Sequence, residues 1–326
     1  MSIALVEFDD EIPVLFMTVG LVGSGKTECA SEIEVKRNGI LSKPRIHSSD
    51  SIREELFEDV NDQTHNTYVF SVLQNRVKDD LRNGIDTIYD ATNINKKRRT
   101  AFLQELKNIP CHKVCVLMLT PYEMCINQNN SRERVVPEEV IKRMYLSFCP
   151  PSYDEGFDYI ALIYNYGSVG KDKYTLENFF EGEVNANAIN QENSHHKSTI
   201  GVHCQKAADY IVERYPENDV LRTAALLHDI GKPFTKSKLN YHGEEDGNCH
   251  YYNHQNCGSY DSFFYTDVLG LSHNQKIHIA NLIYYHMHPF LSWMHSKRAE
   301  DRDRVRVGED MFHEIKKLHK ADLAAH

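Results

Sequence analysis

The feature that most constrains this chain is an eight-residue glycine pattern, Gly20-Leu-Val-Gly-Ser-Gly-Lys-Thr27, which follows the apolar run VLFMTV. It matches the spacing GxxxxGK(S/T) between a strand pattern and a helix pattern. Glycines let backbone N–H groups point at phosphate oxygens, and the helix N-terminus adds positive potential. A lysine here neutralises the β- and γ-phosphates, and the Thr hydroxyl binds Mg²⁺. We therefore predict that ATP or GTP with Mg²⁺ is bound by Gly20, Gly23, Ser24, Gly25, Lys26 and Thr27.

The first half of the chain alternates strand and helix patterns. The strand patterns are nearly continuous in apolar residues, as in strands covered on both faces. They span Val14–Val19, Arg45–Ser48, Thr87–Tyr89, Lys113–Leu119 and Tyr159–Tyr164. The helix patterns span Lys26–Lys36, Thr64–Arg82, Lys96–Lys107, Tyr122–Asn130 and Pro137–Phe148. This order predicts a doubly wound α/β domain with a parallel sheet.

The second half reads as all-helical. A chain of 326 residues is too long for one ordinary core, and a polar stretch at 182–198 has little to bury. We predict one domain over 1–170, a linker over 171–198 and a second domain over 199–326. The helix patterns there span Val202–Arg214, Val220–Leu227, Gln255–Val268, Gln275–His286 and Asp310–Ala324.

The composition distinguishes the two halves of the chain by their histidine content and indicates the cellular compartment. Residues 171–326 hold 15 of the 18 histidines, which suggests metal chemistry in that half. The eight cysteines form no CxxC pair, as expected for reduced thiols, and the N-terminus has no basic region of a secretory signal. No apolar run reaches about 18 residues. We expect a cytoplasmic protein whose net charge of -10 excludes a broad nucleic-acid-coating surface.

Two carboxylates follow the ends of predicted strands, where ligands bind in such sheets. Asp50 either accepts the proton of an attacking hydroxyl or caps the following helix. Arg53, one turn on, suits an acceptor phosphate. Asp90 either orients a Mg²⁺ water or the acceptor, or forms an Asx turn. The run Lys96–Arg99 either helps hold a nucleic-acid strand or forms a solvated helix face.

These motifs together resemble the 5′-polynucleotide kinase branch of the P-loop kinases, the phage end-healing kinases included. The resemblance covers residues 14–165 through GxxGSGKT, SSDSIR, DATN with KKRR, NxxRxRVVPEEVIKRM and PPSYDEGFD. It implies that Asp50 is the general base, that Arg53 contacts the acceptor's phosphate and that the lid arginine Arg132 stabilises the transferring phosphoryl group. Gln128 stands where the family often has another arginine, which leaves the lid chemistry to Arg132 and Arg134. We also assign Asp90, Thr92, Asn93 and Arg134 to nucleotide binding.

The histidine-rich half resembles the HD phosphohydrolase superfamily over about residues 194–326. The resemblance rests on GVHCQKAADYI, AALLHDIGKP, HYYNHQNCGSYDS, LIYYHMHP and KLHKADLAAH, which give the order H…HD…H…H…D. It implies one ion bound by His203, His228, Asp229 and Asp322, and a second completed by His254 and His286, with Asp229 bridging. Imidazoles with carboxylates suit Mn, Fe, Co, Ni or Zn. Lys232 is expected to contact a substrate phosphate.

Other histidines and cysteines offer alternatives to this ligand set. His288 competes with His286, and His195 and His196 either contact phosphate near the domain entrance or do nothing. Cys249, His254 and Cys257 suggest a structural zinc site, but a fourth ligand with regular spacing is missing.

These inferences lead to a functional hypothesis, a bifunctional nucleic-acid end-healing enzyme. The first domain would phosphorylate 5′-OH ends, and the second would remove a 3′- or 2′-phosphate or open a 2′,3′-cyclic phosphate. The expected partners are RNA or DNA ends, RNA foremost, and a ligase, in a bacterial or phage-infected cytoplasm. The alternatives are a small-molecule or nucleoside kinase fused to an HD nucleotide phosphohydrolase, and a nucleotide-switched sensor without catalysis.

Overall fold

The computed structural model describes residues 5–7, 10–192 and 198–326, so His195 and His196 lie outside the described residues. The chain divides into two compact units. The first comprises Met1–Ile141 and Pro151–Ser168, and the second comprises Lys142–Pro150 and Val169–His326. Each unit is described by itself below.

The first unit is built on a five-stranded parallel sheet. In chain order its strands are β2 (Val14–Val19), β5 (Arg45–Ser48), β6 (Thr87–Asp90), β7 (His112–Leu119) and β8 (Tyr159–Tyr164). A short strand, β1 (Leu5–Glu7), precedes them in the chain and lies outside this sheet. Their spatial order is β5-β6-β2-β7-β8. All six residues of β2 are buried, because both faces of this central strand are covered. The predicted doubly wound α/β fold is confirmed.

Helices connect these strands. They are α1 (Lys26–Glu32), α2 (Ser49–Phe57), α3 (Asn66–Arg82), α4 (Lys96–Glu105), α5 (Tyr122–Asn130) and α6 (Glu138–Tyr145). Ser48 caps α2 and Asn95 caps α4, each accepting a hydrogen bond from a backbone N–H of the first turn. The carboxyl ends of β2, β5 and β6 therefore each lead into a loop or helix start, which is where the candidate site lies.

The predicted helix over Lys26–Lys36 is wrong in its second half. The helix ends at Glu32, and Ile33 adopts an extended conformation with ψ 130°. The chain then forms β3 (Glu34–Arg37), which pairs with β1 and with β4 (Ile40–Ser42) in a separate three-stranded sheet. Val35 is fully buried and the Arg37 Nη2 donates to Asp86 Oδ1 at 2.9 Å. These distant contacts outweigh the local helical pattern.

The second unit is mainly helical, as predicted. Its longer helices are α8 (Ile200–Arg214), α9 (Asp219–Leu227), α11 (His254–Val268), α12 (His273–Tyr285), α13 (Lys297–Val307) and α14 (Glu309–Ala324), with the short α7 (Leu176–Phe180) and α10 (Lys232–Thr235). A single π-turn spans Pro289–Trp293. The helical class is confirmed, with one addition that the sequence did not predict. An antiparallel pair, β9 (Ser237–Leu239) and β10 (Glu245–His250), lies between α10 and α11.

The predicted linker contributes to the packing of the second unit. Tyr174 and Phe179 are buried, and their rings lie 4.8 Å from Phe264 and 5.9 Å from Tyr265, centroid to centroid. The segment that begins at 171 thus carries its own apolar anchors, whereas the polar composition used to place the boundary begins only at 182. No helix of the described residues has the length and apolar character needed to cross a bilayer.

Candidate active sites

The glycine loop after β2 is shaped for close backbone approach. Gly23 and Gly25 have φ of 79° and 87°, a region that favours glycine. A Cβ on Gly23 would lie 2.2 Å from the Cys125 carbonyl oxygen, so no other residue fits there. The Gly20 N–H donates to the Thr92 carbonyl at 3.0 Å, which ties the loop to the end of β6. The loop therefore has the geometry of an anion cradle.

Two side chains of this loop fit a phosphate ligand. The half-buried Lys26 donates from Nζ to the Leu21 carbonyl at 2.6 Å, so its charge is held against the loop. Burial lowers the pKa of Lys26, an effect that the Asp90 carboxylate partly offsets. The buried Ser24 hydroxyl has no hydrogen-bond partner among the described residues. A buried donor without a partner beside a fixed cation is what a bound phosphate would satisfy.

Asp90 lies where a magnesium site would be assembled. Its Oδ1 accepts from the Thr18 hydroxyl at 2.9 Å and its Oδ2 from the Thr27 hydroxyl at 3.2 Å. Its carboxylate therefore binds these two hydroxyls, in place of the alternative Asx turn. Together Thr27 and Asp90 would hold Mg²⁺ with a triphosphate. Sequence reasoning missed Thr18, although a polar residue within an apolar strand was a usable signal.

Asp50 is bracketed by two arginines. Its Oδ1 lies 2.8 Å from Arg53 Nη1, and its Oδ2 lies 3.2 Å from Arg134 Nη1. The helix cap is Ser48, so the alternative role of Asp50 as a cap does not hold. Arg53 is only 5% exposed, its Nη2 donates to Asn66 Oδ1 at 2.7 Å, and its Nε has no partner among the described residues. Sequence reasoning missed Asn66, which no motif marks.

The loop after α5 carries the two candidate lid arginines. Buried Asn129 closes this loop, since its Nδ2 donates to the Val136 carbonyl at 2.8 Å and its Oδ1 accepts from the Val136 N–H at 3.0 Å. Arg132 is exposed, and its backbone N–H donates to the Asn129 carbonyl at 3.2 Å, which places it at the start of the loop that Asn129 closes. Asn129, the first residue of the NxxRxR motif, positions the lid, a role that the sequence did not assign to it.

Two of the resemblance motifs bind each other inside the first unit. The side chains of Arg99 and Glu155 are both 0% exposed and form a bidentate pair, with both N···O distances 2.7 Å. Lys96 is also buried and donates to the Ser152 hydroxyl at 2.8 Å. Arg99 further donates to the Asn93 carbonyl at 2.9 Å. Lys96 and Arg99 are therefore neither strand-binding residues nor part of a solvated helix face. Both are buried, and Arg99 holds the segment that contains Thr92 and Asn93 in place.

Four histidines and two aspartates converge in the second unit, from α8, the end of α9, the start of α11, the end of α12 and the last turn of α14. The Nε2 atoms of His203 and His228 lie 3.2 Å apart, as do those of His254 and His286. Asp229 lies between the pairs. Its Oδ2 is 3.5 Å from His203 Nε2 and its Oδ1 is 3.3 Å from His254 Nε2. The sixth residue, Asp322, places Oδ1 3.0 Å from His203 Nε2. All six predicted ligands are therefore brought together.

Backbone carbonyls orient three of these imidazoles. His228 Nδ1 lies 2.7 Å from the Ala225 carbonyl, and His254 Nδ1 lies 2.7 Å from the Tyr251 carbonyl. His286 Nδ1 lies 2.6 Å from the Ile283 carbonyl. Because a carbonyl accepts only, each Nδ1 donates, and each neutral ring presents its Nε2 lone pair to the centre. This carbonyl–imidazole arrangement is the usual outer support of a metal ligand.

The spacing of the nitrogens fits metal ions. Two neutral imidazoles that face each other through Nε2 lone pairs repel, unless a cation lies between them. Nitrogens bound at about 2.0–2.1 Å to one ion, with an angle of roughly 90–110°, lie about 2.9–3.4 Å apart. Both observed spacings of 3.2 Å are within that range. The residues thus fit two ions, with one oxygen of Asp229 toward each histidine pair.

The charges of the cluster are already poised for cations. Burial lowers the pKa of His203, and burial with the neighbouring histidines lowers the pKa of His286 to about 3. Burial also acts on His228, but the carboxylates of Asp229 and Asp322 prevail and raise its pKa. Although burial opposes it, His228, Lys232 and His254 hold the pKa of Asp229 well below its usual range. The carboxylates are ionised and His286 is neutral at pH 7, as metal ligation requires.

Lys232 and two unpredicted residues complete the surroundings. The buried Lys232 Nζ lies 2.6 Å from Asp229 Oδ2 and donates to Gln191 Oε1 at 2.7 Å. His326 lies one helical turn after Asp322, with Nε2 3.6 Å from Asp322 Oδ1. Gln191 and His326 were missed, because neither belongs to a recurring motif. The spacing of four between Asp322 and His326 was the one available signal.

The competing ligands are accounted for elsewhere. His288 Nδ1 binds Asp303 Oδ2 at 2.9 Å, so His286 and not His288 belongs to the cluster. Cys257 is buried against the His254 carbonyl at 3.4 Å, and Cys249 lies 3.7 Å from Glu192 Oε2. Within the described part of the chain, no group of potential metal ligands includes a cysteine.

Comparison with known proteins supports both halves. The AAA domain family matches residues 15–151, and the HD domain family matches residues 200–322. The L-seryl-tRNA(Sec) kinase of Methanococcus maripaludis is 24% identical over 151 residues, which cover 44% of this chain and 56% of that kinase. The chain thus spans little more than half the length of this curated relative. These matches and the two sites show a kinase-like, nucleotide-binding P-loop domain fused to an HD phosphohydrolase domain.

Proposed function

We propose that the protein heals broken nucleic-acid ends, RNA ends foremost. The first unit would transfer the γ-phosphate of ATP or GTP to a 5′-OH, and the second would remove a 3′- or 2′-phosphate or open a 2′,3′-cyclic phosphate. The observation that carries the proposal is the position of Asp50 between Arg53 and Arg134, in the unit that holds the phosphate loop. A carboxylate that accepts a hydroxyl proton, next to arginines that bind phosphates, suits an acceptor that is itself a phosphodiester.

In the kinase step the loop amides and Lys26 would hold the β- and γ-phosphates, and Thr27 with Asp90 would hold Mg²⁺. Asp50 would accept the proton of the 5′-OH at a carboxylate oxygen as that hydroxyl attacks the γ-phosphorus. The bond between the γ-phosphorus and the β–γ bridging oxygen would break, and ADP or GDP would leave. When the acceptor binds, Arg53 would give up its contact with Asp50 and contact the acceptor's phosphate instead. Arg132 and Arg134 would neutralise charge on the transferring group, which is where most catalysis of phosphoryl transfer lies.

In the phosphohydrolase step the six clustered residues would hold one or two divalent ions, Mn, Co, Ni, Fe or Zn. Such ions act as Lewis acids and lower the pKa of water to about 7 in favourable cases. His228, His254 and His286 present Nε2 from fixed rings, and Asp229 links the two pairs. Lys232 would bind a phosphate oxygen of the substrate by leaving Gln191 while it still contacts Asp229.

RNA is favoured because a 2′,3′-cyclic phosphate requires a 2′-OH. The two products, a 5′-phosphate and an unblocked 3′ end, are what a ligase consumes, so a ligase is the expected partner. No disulfide joins any of the eight cysteines, all of which lie within the described residues, which supports a reducing compartment such as the cytoplasm of a bacterium or a phage-infected host.

A second candidate is favoured by the relative itself. The name of that relative describes a kinase of L-seryl-tRNA(Sec). Our chain would then be a kinase of a different hydroxyl, on an RNA-linked group or on a nucleoside or other small molecule, fused to a nucleotide phosphohydrolase. The two candidates differ in whether Arg53 reads a phosphate of the acceptor.

One assay separates the candidates. An RNA with a 5′-OH and a 2′,3′-cyclic phosphate is incubated with radiolabelled ATP and Mn²⁺, and both end groups are identified. We expect both ends to change. Lys26→Ala should block only the 5′ end, and Asp229→Asn only the 3′ end. Labelling of a nucleoside or an aminoacylated tRNA, but not of the 5′-OH RNA, would refute the proposal.

Arg53 provides the sharper control. Arg53→Ala is compared with Arg98→Ala, an exposed arginine of the same unit, on nucleoside acceptors with and without a 3′-phosphate. The proposal expects a selective loss of at least about tenfold on the phosphorylated acceptor. An equal loss on both acceptors favours the second candidate.

A further inference from the structure

The β9–β10 hairpin carries an exposed aromatic surface that the mechanism above does not use. We define the aromatic hairpin face as Tyr241, His250 and Tyr252. Tyr241 is 85% exposed and Tyr252 is 43% exposed, and neither ring is covered by the core. Large exposed aromatic groups that lie together usually mark a binding surface.

The rings of this face are held in place. His250 and Tyr252 lie parallel within 3°, with centroids 5.4 Å apart, and the Tyr252 hydroxyl lies 3.3 Å from His250 Nδ1. His250 Nε2 lies 3.1 Å from Asp246 Oδ1. Tyr241 meets Tyr252 edge-on at 6.1 Å. A bound planar group would therefore meet a surface whose rings are already ordered.

The same chain segment continues directly into the ion-binding cluster. Tyr252 precedes the ligand His254 by two residues, and the carbonyl of Tyr251, the residue before Tyr252, accepts the His254 Nδ1–H at 2.7 Å. The Tyr251 ring lies 5.4 Å from Lys232 Nζ, the group proposed to bind phosphate. A ligand with its phosphate at the cluster thus has an aromatic surface close by along the chain.

We propose that the aromatic hairpin face is a stacking subsite for the nucleobase of the nucleotide that bears the terminal phosphate. This inference rests on the proposed function of the second unit. Every base has a π-face, so stacking accepts all ends whatever their sequence. The exposed acids Glu244, Glu245 and Asp246 disfavour a polyanionic backbone at this hairpin, which leaves the uncharged base as the part that fits.

The test uses the full chain and oligoribonucleotides with a 3′-phosphate. Their terminal nucleoside is either 2-aminopurine, whose fluorescence falls on stacking, or abasic. The Tyr241→Ala/Tyr252→Ala variant is compared with Tyr241→Phe/Tyr252→Phe, which keeps both rings. We expect quenching with wild type and the Phe variant, loss of quenching with the Ala variant, and a KM raised about tenfold or more only for the oligonucleotide with a base.

The outcomes keep the two proposals apart. If wild type hydrolyses the oligonucleotide but the Ala variant quenches and turns over like wild type, the stacking subsite is refuted and end healing stands. An equal loss of turnover on the abasic oligonucleotide refutes it too, because it indicates a structural role of the hairpin. If wild type neither binds nor hydrolyses either oligonucleotide, the stacking subsite fails together with the 3′-phosphatase part of the proposed function. Melting curves of the variants check that the fold is retained.

Discussion

The candidate kinase site is open, whereas the candidate ion cluster is closed. Thr27, Asp50 and Arg132 are exposed and come from the first turns of α1 and α2 and from the loop after α5. In the cluster, His203 and His228 are fully buried and four further ligands are buried or nearly so. A nucleotide is large and charged, and solvent-exposed backbone N–H groups at a helix N-terminus can bind its phosphates without a buried site. A small ion requires several side chains fixed together beforehand, away from water.

Without ions, the closed cluster has an unfavourable electrostatic energy that the open site does not have. The Nε2 lone pairs of His254 and His286 face one another, and the Asp229 carboxylate is buried and ionised. Without ions, the pair of Lys232 and Asp229 supplies much of the compensation. The difference suggests that substitutions should affect activity alone in the first site, but activity and folding together in the second.

The largest effect is expected from Asp229→Asn. The change removes a charge that faces both histidine pairs and leaves Lys232 buried without its counter-ion, which costs about 3–5 kcal/mol of folding free energy. Affinity for Mn²⁺ should fall by at least about 100-fold. Metal content after dialysis and denaturant unfolding measure both effects. Normal metal content in the variant would show that Asp229 is no ligand.

Lys26→Ala tests the opposite expectation for the open site. Kinase activity should fall by roughly 100- to 1000-fold, since one charged donor to the developing phosphate charge is lost. Metal content and phosphohydrolase activity should not change. The free energy of unfolding should change by less than about 1 kcal/mol, because Lys26 Nζ hydrogen-bonds, among the described residues, only to the Leu21 carbonyl. If the variant unfolds like the Asp229 variant, the contrast between the sites is wrong.

Arg99→Met sharpens the comparison, because it lies in the first unit but is as buried as the ion cluster. Removing one partner of the Arg99–Glu155 pair should destabilise the protein by about 3–5 kcal/mol. Arg98→Ala, an exposed neighbour whose backbone N–H keeps its bond to Asn95, should cost less than about 0.5 kcal/mol. Calorimetry of both variants measures the difference, and equal losses would contradict it.

A pH titration of the metal-free protein tests how burial of uncharged His286 in the cluster affects stability. The pKa of His286 is lowered to about 3 in the fold, from about 6.5 in the unfolded chain. Between these values the unfolded state binds the extra proton, so stability falls as pH drops from about 6.5 toward 3. His286→Gln should remove this part of the acid sensitivity. Urea unfolding with a chelator at several pH values measures it, and identical profiles would contradict the assignment.

The smallest effect is expected from His326→Ala. This ring lies beside Asp322 and outside the two central pairs, so its loss should weaken Mn²⁺ binding by no more than about tenfold. Competition with a chromophoric chelator measures the change. A loss as large as that of Asp229→Asn would make His326 a full ligand.

The sequence predicted best where a function occupies contiguous residues. The glycine loop and the bounds of β2, β5 and β8 needed only local patterns. The six ion ligands came from their order along the chain, with the help of the resemblance. Thr18, Asn66 and Gln191 escaped, because each acts through a hydrogen bond to a residue that is remote along the chain. The β9–β10 hairpin escaped because its strands are too short and polar to show a period.

The anchoring of His228 and His286 has a consequence for how this domain can evolve. Each ring donates a hydrogen bond to a carbonyl three residues earlier, in the last turn of its own helix. The end of the helix therefore fixes the orientation of the imidazole. An inserted or deleted residue in that turn would swing the ring by about 100°. Sequence drift in α9 and α12 should therefore proceed by exchange of side chains, while the number of residues in their final turns stays constant.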